Sequence, residues 1–360
     1  MLNRSQQALF ILLNAGIRNK NPEKNFFSDF SDSEWKEVYH HAIEQGVMAI
    51  VFDAVMRLPE ELKPPRSLKL NWAFNVEALE KRYSRQEGVA RELAEIFEAN
   101  NIRVFFFKGI SLARLYPVPS HREFGDLDIY LFGEYKKGNQ LLLQYGQAEK
   151  NINPKHLSSS YKGIVVENHI AFLSPDTNSY LKNIENTLIK LSKEALKEPY
   201  SNILFPTSNY NILLIMSHAI IHFPYSIVLR HLCDWVVFLE ANKGKVDFVN
   251  YNKLLSEAGL LTVADAFTAL AVRFLELKQE SAPKYSNNPA LEDKILLNIL
   301  NPLRLHKIKP SPLDIIVFKY RTFKSRRWKH KLISNDEYYK IVLNSIYYHI
   351  RHPQSIFKTK

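Results

Sequence analysis

Three short extended segments in the middle of the chain limit its possible folds more than any other feature. The run Ile102 to Phe107 is bulky and rich in β-prone residues, and both Phe124 to Phe132 and Gly163 to Leu173 alternate as strands do. Helical spacing resumes at Ser111 to Tyr116, and Tyr135 to Tyr145 is a further helical candidate between the strands. This order of strand, helix and strand predicts a small mixed sheet with helices on one side.

Both flanks of the extended segments show the three- and four-residue spacing of helices. The N-terminal flank runs from Ser5 to about Glu98 and is broken at Pro64-Pro65. After Asn178 the helical spacing returns, in Asn209 to Phe223 and in Ile227 to Asn242. The predicted fold class is therefore α+β, with a small mixed β-sheet core embedded between N-terminal helices and a C-terminal helical domain. The predicted domains are residues 1–100 (N-terminal helical segment), 101–177 (core sheet), 178–300 (helical domain) and 301–360 (basic aromatic C-terminal helices, the last from Tyr338 to His349).

Two aspartates lie at positions i and i+2 of the second extended segment, in the order Asp126-Leu127-Asp128. On a strand this spacing places both carboxylates on one face, about 7 Å apart along the backbone. Two such charges beside an apolar sheet repel each other and resist desolvation, whereas a divalent metal ion neutralises both and can hold a triphosphate. The pair therefore indicates metal-dependent phosphate chemistry. The alternative is that these acids form ion pairs with Arg122 or Lys108.

A third acid, Glu167, shares a strand face with Val165 and His169. If the second and third strands are neighbours, Glu167 joins Asp126 and Asp128 on one face. Three carboxylates in this arrangement hold two magnesium ions about 3.5 to 4 Å apart, one for the triphosphate and one for an acceptor hydroxyl, with Mn²⁺ as a possible substitute. Alternatively, Glu167 has a structural role and forms an ion pair. His169 is either a possible proton acceptor or a plain strand histidine.

The turn Lys108-Gly109-Ile110-Ser111 follows the first extended segment and precedes a helical one. Free backbone amides and the helix dipole favour a phosphate at such a turn, and glycine allows a phosphate to approach the backbone. Lys108 and Arg122 would then screen the phosphate charge. Alternatively, Ser111 is a helix cap and Arg122 is an ion-pair partner of Asp126.

Two stretches, Phe105 to Pro117 (FFFKGISLARLYP) and Arg122 to Leu131 (REFGDLDIYL), resemble the DNA polymerase beta-type nucleotidyltransferase superfamily. More narrowly, they are similar to its bacterial branch of uncharacterised nucleotidyltransferases with a Lys-Gly motif. The motif region extends from about Ile102 to Phe172, and the helical pattern that follows also resembles the branch. The likeness therefore covers about two thirds of the chain.

The resemblance implies a nucleotidyltransferase core and a role for five residues. Gly109 and Ser111 correspond to the turn that binds the nucleoside triphosphate. Asp126 and Asp128 correspond to the metal-binding pair, and Glu167 to the third acid. The implied reaction transfers a nucleoside monophosphate to an acceptor hydroxyl with release of pyrophosphate, and the acceptor is a small molecule, a protein or an RNA. A catalytically inactive nucleotide- or nucleic-acid-binding protein of the same fold is the competing hypothesis.

The C-terminal helical domain carries a second set of candidate binding residues. His218 and His222 lie at i and i+4 of one helix, and Arg230 and Asp234 lie on the next. We expect these side chains to line the nucleotide or acceptor cleft, with Arg230 reaching a phosphate and Asp234 orienting it. The alternatives are a structural network between helices and, for the two histidines, zinc binding.

The charge of the chain is strongly basic, with a formal net charge of +11. Its strongest local excess is Lys319 to Lys331, a stretch interrupted by Tyr320, Phe323 and Trp328. Such a segment attracts polyanions when it is exposed. It predicts either a contact with nucleic acid or a charged substrate, or a solvated helix face whose aromatic residues lie in the core.

A cytoplasmic protein without a membrane span is expected. The single cysteine, Cys233, excludes an intramolecular disulfide and a cysteine-based metal site, and we expect it to be a buried thiol. The most apolar long segment, Leu260 to Leu277, contains Asp265 and Arg273 and indicates a helix of a soluble protein. Met1 to Gly16 shows helical spacing without a convincing cleavage site, which favours a helix of the mature protein over a signal peptide.

Overall fold

The extended segments form a single mixed sheet. A computed structural model describes residues 2–153, 156–173, 179–199, 201–303 and 311–334, with residues 338, 339, 342, 343, 347 and 351, and within these residues the sheet has seven strands. The strands are β1 (Val104–Phe107), β2 (Asp126–Tyr130), β3 (Gln147–Asn153), β4 (His156–Tyr161), β5 (Ile164–His169), β6 (Leu196–Lys197) and β7 (Ile203–Phe205). Their spatial order is β3-β4-β5-β2-β1-β7-β6, and β2 runs antiparallel to β1 and parallel to β5.

Helices precede and follow this sheet, which confirms the predicted α+β class. Four helices come before the first strand: α1 (Arg4–Ile17), α2 (Asp32–Glu44), α3 (Met48–Met56) and α4 (Arg66–Ala99). Three lie between strands: α5 (Gly109–Ala113), α6 (Tyr135–Tyr145) and α7 (Lys182–Ser192). The helices after the last strand are α8 (Ser208–His222), α9 (Leu229–Ala241), α10 (Phe248–Glu257), α11 (Leu261–Leu275), α12 (Pro289–Leu300) and α13 (Pro312–Ile333).

Helices pack on both faces of the sheet, so the prediction of helices on one side is wrong. All four residues of β1 are buried, and an apolar strand that is buried on both faces needs cover on both sides. Phe105 packs edge-on against Tyr210 of α8, with ring centroids 5.1 Å apart. Phe106 points to the opposite face and belongs to the apolar cluster that contains Leu93 and Phe97 of α4.

The N-terminal helices share a core with the C-terminal helices. Leu9 and Leu13 of α1 belong to the same buried cluster as Trp235 of α9 and Phe267 of α11. At the end of α1, Arg18 donates hydrogen bonds to Glu240 Oε1 (2.6 Å) and to the backbone oxygen that ends α11 (2.7 Å). The sheet therefore lies beside a helical body built from both ends of the described chain.

Several boundaries follow from side-chain caps. Ser31 and Glu34 form a capping box at the start of α2, and Ser311 and Asp314 form one at the start of α13. The predicted helix of Tyr135 to Tyr145 is confirmed, and the three predicted strands contain β1, β2 and β5. The hairpin of β3 and β4 and the short strands β6 and β7 were not predicted. The predicted helix from Tyr338 to His349 lies largely outside the described residues.

The basic segment Lys319 to Lys331 belongs to α13, and its C-terminal half packs inward. Lys329 is buried beside the Phe223 ring, and Trp328 packs under the ammonium of Lys294, 4.1 Å from its ring centroid. Arg321 and other basic residues of the helix are exposed, so contact with a polyanion stays a prediction. Cys233 is fully buried, as expected. Among the described helices, none combines the length and the apolarity that crossing a bilayer requires.

Gly16→Ala is expected to destabilise the fold by roughly 1–3 kcal/mol. A Cβ at Gly16 would lie 2.2 Å from the carbonyl oxygen of Ile50 in α3, so α1 and α3 would have to separate. Gly88→Ala in α4 is the matched control, because a Cβ there meets nothing within 4 Å. This control should stabilise by about 0.5–1 kcal/mol through helix propensity. Urea unfolding measures both values, and equal effects of the two substitutions would contradict the close contact.

Candidate active site

The parallel pairing of β2 with β5 brings the three predicted acids to one sheet face. Asp126 is opposite Val165, and Asp128 is opposite Glu167. Leu127 and Ile129 point the other way and are fully buried. Directly opposed residues of neighbouring strands share a face. Glu167 therefore lies on the same face as Asp126 and Asp128, as expected if β2 and β5 are neighbours. We call Asp126, Asp128 and Glu167 the acidic face.

Asp128 is the most enclosed of these acids and already has two partners. It is 3% exposed, Lys108 Nζ donates to its Oδ1 at 2.5 Å, and His169 Nε2 lies 2.7 Å from the same oxygen. Burial alone would raise the pKa of Asp128, but the charge of Lys108 and the hydrogen bond from His169 outweigh burial and lower it. Asp128 is therefore ionised. It forms an ion pair with Lys108, which was one of the alternatives predicted for the two aspartates.

Asp126 and Glu167 have opposite electrostatic surroundings. Burial, followed by the charges of Asp128 and Glu167, raises the pKa of Asp126 to about 6. Burial also raises the pKa of Glu167, but hydrogen bonds with His156 and His169 outweigh it and lower that pKa well below its usual range. Glu167 Oε1 lies 3.1 Å from His156 Nε2, and Oε2 lies 3.4 Å from His169 Nε2. The carboxyl group of Asp126 therefore lies beside two negatively charged groups, Asp128 and Glu167.

The turn after β1 holds Lys108 in an unusual backbone conformation. Its φ of 54° and ψ of −120° lie in a region that L residues rarely adopt, at a cost of roughly 1–3 kcal/mol. The strain places the ammonium against Asp128 while the chain turns directly into α5. Gly109 is required by packing, since a Cβ there would lie 2.8 Å from the side chain of Phe124. Ser111 is buried inside α5, two residues further on.

Arg122, in the loop before β2, pairs with Asp234 of α9. Its Nε donates to Asp234 Oδ1 at 3.0 Å and its Nη2 to Oδ2 at 2.6 Å, while the Tyr116 hydroxyl donates to Oδ1 at 2.8 Å. Arg122 is therefore not a partner of Asp126, because the fully buried carboxylate of Asp234 satisfies its fork of donors. The expectation that Asp234 orients Arg230 is also corrected, since the hydrogen bonds of Asp234 go to Arg122 and Tyr116.

A cavity of about 60 Å³ lies between α5, α8 and α9, next to the acidic face. Arg230 lines it and donates from Nη1 to the backbone oxygen of Glu123 at 2.8 Å, while its Nε is buried without an acceptor among the described residues. Burial and the charge of Arg122 lower the pKa of Arg230. We call this space the cationic cavity. Its lining residues are Lys108, Leu112, Arg122, Leu214, Ile215, His218, Arg230, His231 and Asp234.

The two predicted histidines of α8 belong to a group of three. The His218 and His222 rings have centroids 4.4 Å apart, and His231 of α9 lies 6.4 and 6.5 Å from them. His218 lines the cationic cavity, whereas His222 lies one turn further along α8. Burial and the charge of Arg230 lower the pKa of His231 to about 3, so this ring is neutral.

Three residues of the site were missed in the sequence. His156 contacts Glu167 from β4, whose polar sequence gave no strand signal. Tyr116 reaches Asp234, a partner 118 positions away, and local pattern reading has no access to such a pair. Of the three, His231 was the easiest to predict from the sequence. It directly follows the candidate Arg230, and its position on a helix follows from the periodicity.

The loop that delivers Arg122 to the site is fixed by a buried histidine. His121 Nδ1 lies 2.8 Å from Asp53 Oδ2 of α3, and its Nε2 lies 2.9 Å from Glu80 Oε1 of α4. Burial lowers the pKa of His121, but the hydrogen bonds to Asp53 and Glu80 outweigh burial and raise it above the usual value. The imidazolium therefore joins two helices to the loop that precedes β2.

His121→Gln is expected to lower the free energy of unfolding by roughly 1–2 kcal/mol near pH 6 and by less near pH 9. A raised folded pKa gives stabilisation that is complete below the unfolded pKa of about 6.5 and is lost as the pH rises through the folded pKa. Urea unfolding at both pH values measures the change. His40→Gln, at an exposed histidine of α2, is the control, and an effect of His121→Gln that does not vary with pH would contradict the charged state.

The fold and the acidic face together define an α+β protein with a sheet-borne cluster of carboxylates beside a cationic cavity. A profile of the family described as uncharacterised nucleotidyltransferases matches residues 31–276, and the chain belongs to this family. The matched region begins at the cap of α2 and ends just after α11, so it includes the sheet, the acidic face and the cationic cavity. No curated protein sequence matches the chain. Family membership supports nucleotidyl transfer in general, with a nucleoside triphosphate as substrate.

Proposed function

We propose that this chain is a metal-dependent nucleotidyltransferase that moves a nucleoside monophosphate from a nucleoside triphosphate to an acceptor hydroxyl. The observation that carries the proposal is the acidic face, on which Asp126, Asp128 and Glu167 are gathered by the pairing of β2 with β5. Membership of a nucleotidyltransferase family favours nucleotidyl transfer over the alternative hypothesis, a catalytically inactive binding protein.

The residues of the acidic face fit divalent cations. Lys108 compensates the charge of Asp128, and the raised pKa of Asp126 reflects burial together with the neighbouring charges of Asp128 and Glu167. Carboxylate oxygens are the ligands that Mg²⁺ and Mn²⁺ prefer. Asp126, Asp128 and Glu167 would hold such ions. When bound, the ions would neutralise the triphosphate and lower the pKa of the acceptor hydroxyl.

The cationic cavity would supply charge for the phosphate tail. Lys108 lies between the cavity and the acidic face, and the buried Nε of Arg230 offers a donor that a phosphate oxygen would satisfy. The cavity has a volume of about 60 Å³. The triphosphate would lie between this cavity, the acidic face and the turn of Gly109 and Ser111.

The chemistry consists mainly of alignment and charge compensation. The acceptor oxygen loses its proton to water and forms a bond to the α-phosphorus, the bond from that phosphorus to the bridging oxygen breaks, and pyrophosphate leaves. The chain contributes positions for the reacting groups and cations that offset charge on the phosphates. Lys108 is suited to this role because the strained turn fixes its ammonium next to Asp128.

Nucleotide binding tests the proposal without knowledge of the acceptor. Calorimetric titration with α,β-methylene analogues of the four nucleoside triphosphates should show binding that requires Mg²⁺ or Mn²⁺. Incubation with α-labelled triphosphates and separate pools of tRNA, protein and small hydroxyl compounds should then show label transfer with release of pyrophosphate. Metal-dependent binding without transfer to any pool would favour an inactive binding protein, and absence of nucleotide binding would contradict the proposed function.

A further inference from the structure

Two histidines flank Glu167 in a way that the nucleotidyl-transfer proposal does not use. Within the described residues, His156, Glu167 and His169 are the one group of three whose ligand atoms all lie within 4.8 Å of one another. His156 is on β4 and the other two are on β5, and the register pairs His156 directly with His169. The sheet therefore presents two imidazole nitrogens and one carboxylate at a single point.

Two of the separations between these atoms are close to those of neighbouring ligands around one metal ion. With metal–ligand bonds of about 2.1 Å, neighbouring ligand atoms are roughly 3.0 Å apart in octahedral and roughly 3.4 Å apart in tetrahedral geometry. Glu167 Oε1 is 3.1 Å from His156 Nε2, and Oε2 is 3.4 Å from His169 Nε2. The ligand atoms of all three residues lie within 4.8 Å of one another.

The contacts of His169 also suit a cation. Its Nδ1 lies 3.2 Å from the carbonyl oxygen of Ala171. Its Nε2 lies 2.7 Å from Asp128 Oδ1 and 3.4 Å from Glu167 Oε2. A metal ion at Nε2 would compensate both acids, and a carbonyl behind Nδ1 is the usual support for a metal-binding histidine.

We propose that His156, Glu167 and His169 bind one divalent transition metal ion, of the Mn²⁺ or Zn²⁺ class, beside the Asp126 and Asp128 pair. Two imidazoles and one carboxylate suit such ions, whereas Mg²⁺ prefers oxygen ligands and water. The site shares Glu167 with the proposed nucleotidyl-transfer site. It rests on the donor geometry alone and does not require that the chain transfers nucleotides.

Metal titration of the full-length, metal-free protein without nucleotide tests this site. One equivalent of Zn²⁺ or Mn²⁺ should bind on the order of 100-fold more tightly than Mg²⁺. His156→Gln should weaken that binding at least about 10-fold and should remove the visible absorption that Co²⁺ acquires from histidine ligation. Glu167→Gln should act similarly, and circular dichroism establishes that both variants are folded.

Two further variants separate this site from its neighbours. His40→Gln, at an exposed histidine of α2, is the matched control and should leave Zn²⁺ and Mn²⁺ binding unchanged. Asp126→Asn should keep transition-metal binding while it loses Mg²⁺-dependent nucleotide binding, so the two proposals fail separately. Equal affinity for Zn²⁺, Mn²⁺ and Mg²⁺, or transition-metal binding that His156→Gln leaves intact, would overturn the inference.

Discussion

Asp126→Asn is expected to reduce pyrophosphate release on the order of 100-fold or more, while the metal-free protein becomes more stable by roughly 1–3 kcal/mol. The carboxylate is partly buried next to Asp128 and Glu167, and both neighbours raise its pKa by repulsion. An isosteric amide removes this repulsion and also removes a proposed metal ligand. Stability and activity should therefore change in opposite directions, which is expected where charge is concentrated for function.

Asp128→Asn provides the contrast. Its charge is compensated by Lys108 and hydrogen-bonded to His169, so the substitution leaves a largely buried ammonium without its counter-ion. We expect a similar loss of turnover together with destabilisation of about 3 kcal/mol. Two neighbouring substitutions of one residue type should thus have opposite effects on stability.

Thermal unfolding in EDTA and in Mg²⁺, together with a pyrophosphate assay, measures both effects. Mg²⁺ should raise the melting temperature of the wild type and should have little effect on Asp126→Asn, because a ligand stabilises only a state that binds it. Asp265→Asn, at an aspartate of α11, is the control for loss of a charge elsewhere. If Asp126→Asn keeps its turnover, the acidic face is not the site of the reaction.

The apolar strands and their acids could be predicted from the sequence because their signals are local. β1 and β2 are short apolar runs, and the spacing of Asp126 and Asp128 fixes their common face whatever the rest of the fold. The position of Glu167 depended on one further condition, the adjacency of β2 and β5, which the structure meets. In each case the prediction depended on the two-residue period of a β-strand.

The remaining strands could not be predicted because they lack that signal. β4 contains Ser158, Ser159 and Ser160, residues of low strand propensity, and its strand conformation depends on pairing with β5. β6 and β7 have two and three residues, too few for a periodic pattern. His156 was missed for the same reason, since it is a site residue only when β4 lies beside β5.

Partners far apart in sequence were the other source of error. Arg122 was expected to pair with Asp126 or to meet a phosphate, both within the same motif, yet its partner Asp234 is 112 positions away. A bidentate pair of this kind depends on how α9 packs against the loop before β2. The spacing of residues in the sequence does not reveal how α9 packs. The residue types therefore indicated that ion pairs would form, but not which residues would pair.

Asp234→Asn is expected to cost roughly 3–5 kcal/mol of unfolding free energy. The Asp234 carboxylate is buried, receives both donors of the Arg122 fork and the Tyr116 hydroxyl, and also attracts the charge of Arg230. An amide leaves the buried guanidinium of Arg122 without its bidentate, charged partner. Urea unfolding measures the loss, and Asp293→Asn is the matched control, because its ion pair with Arg273 is exposed and should contribute less than about 1 kcal/mol.

A double-mutant cycle separates the ion pair from simple loss of packing. Arg122→Met combined with Asp234→Asn removes both charges, so the double variant should lose clearly less stability than the sum of the two single variants. Additive losses would show that the two side chains contribute independently, and the pair would then not join α9 to the loop before β2. The same cycle bears on function, because Arg122 lines the cationic cavity. A coupled pair would mean that Asp234 fixes the position of Arg122 at the wall of the cationic cavity.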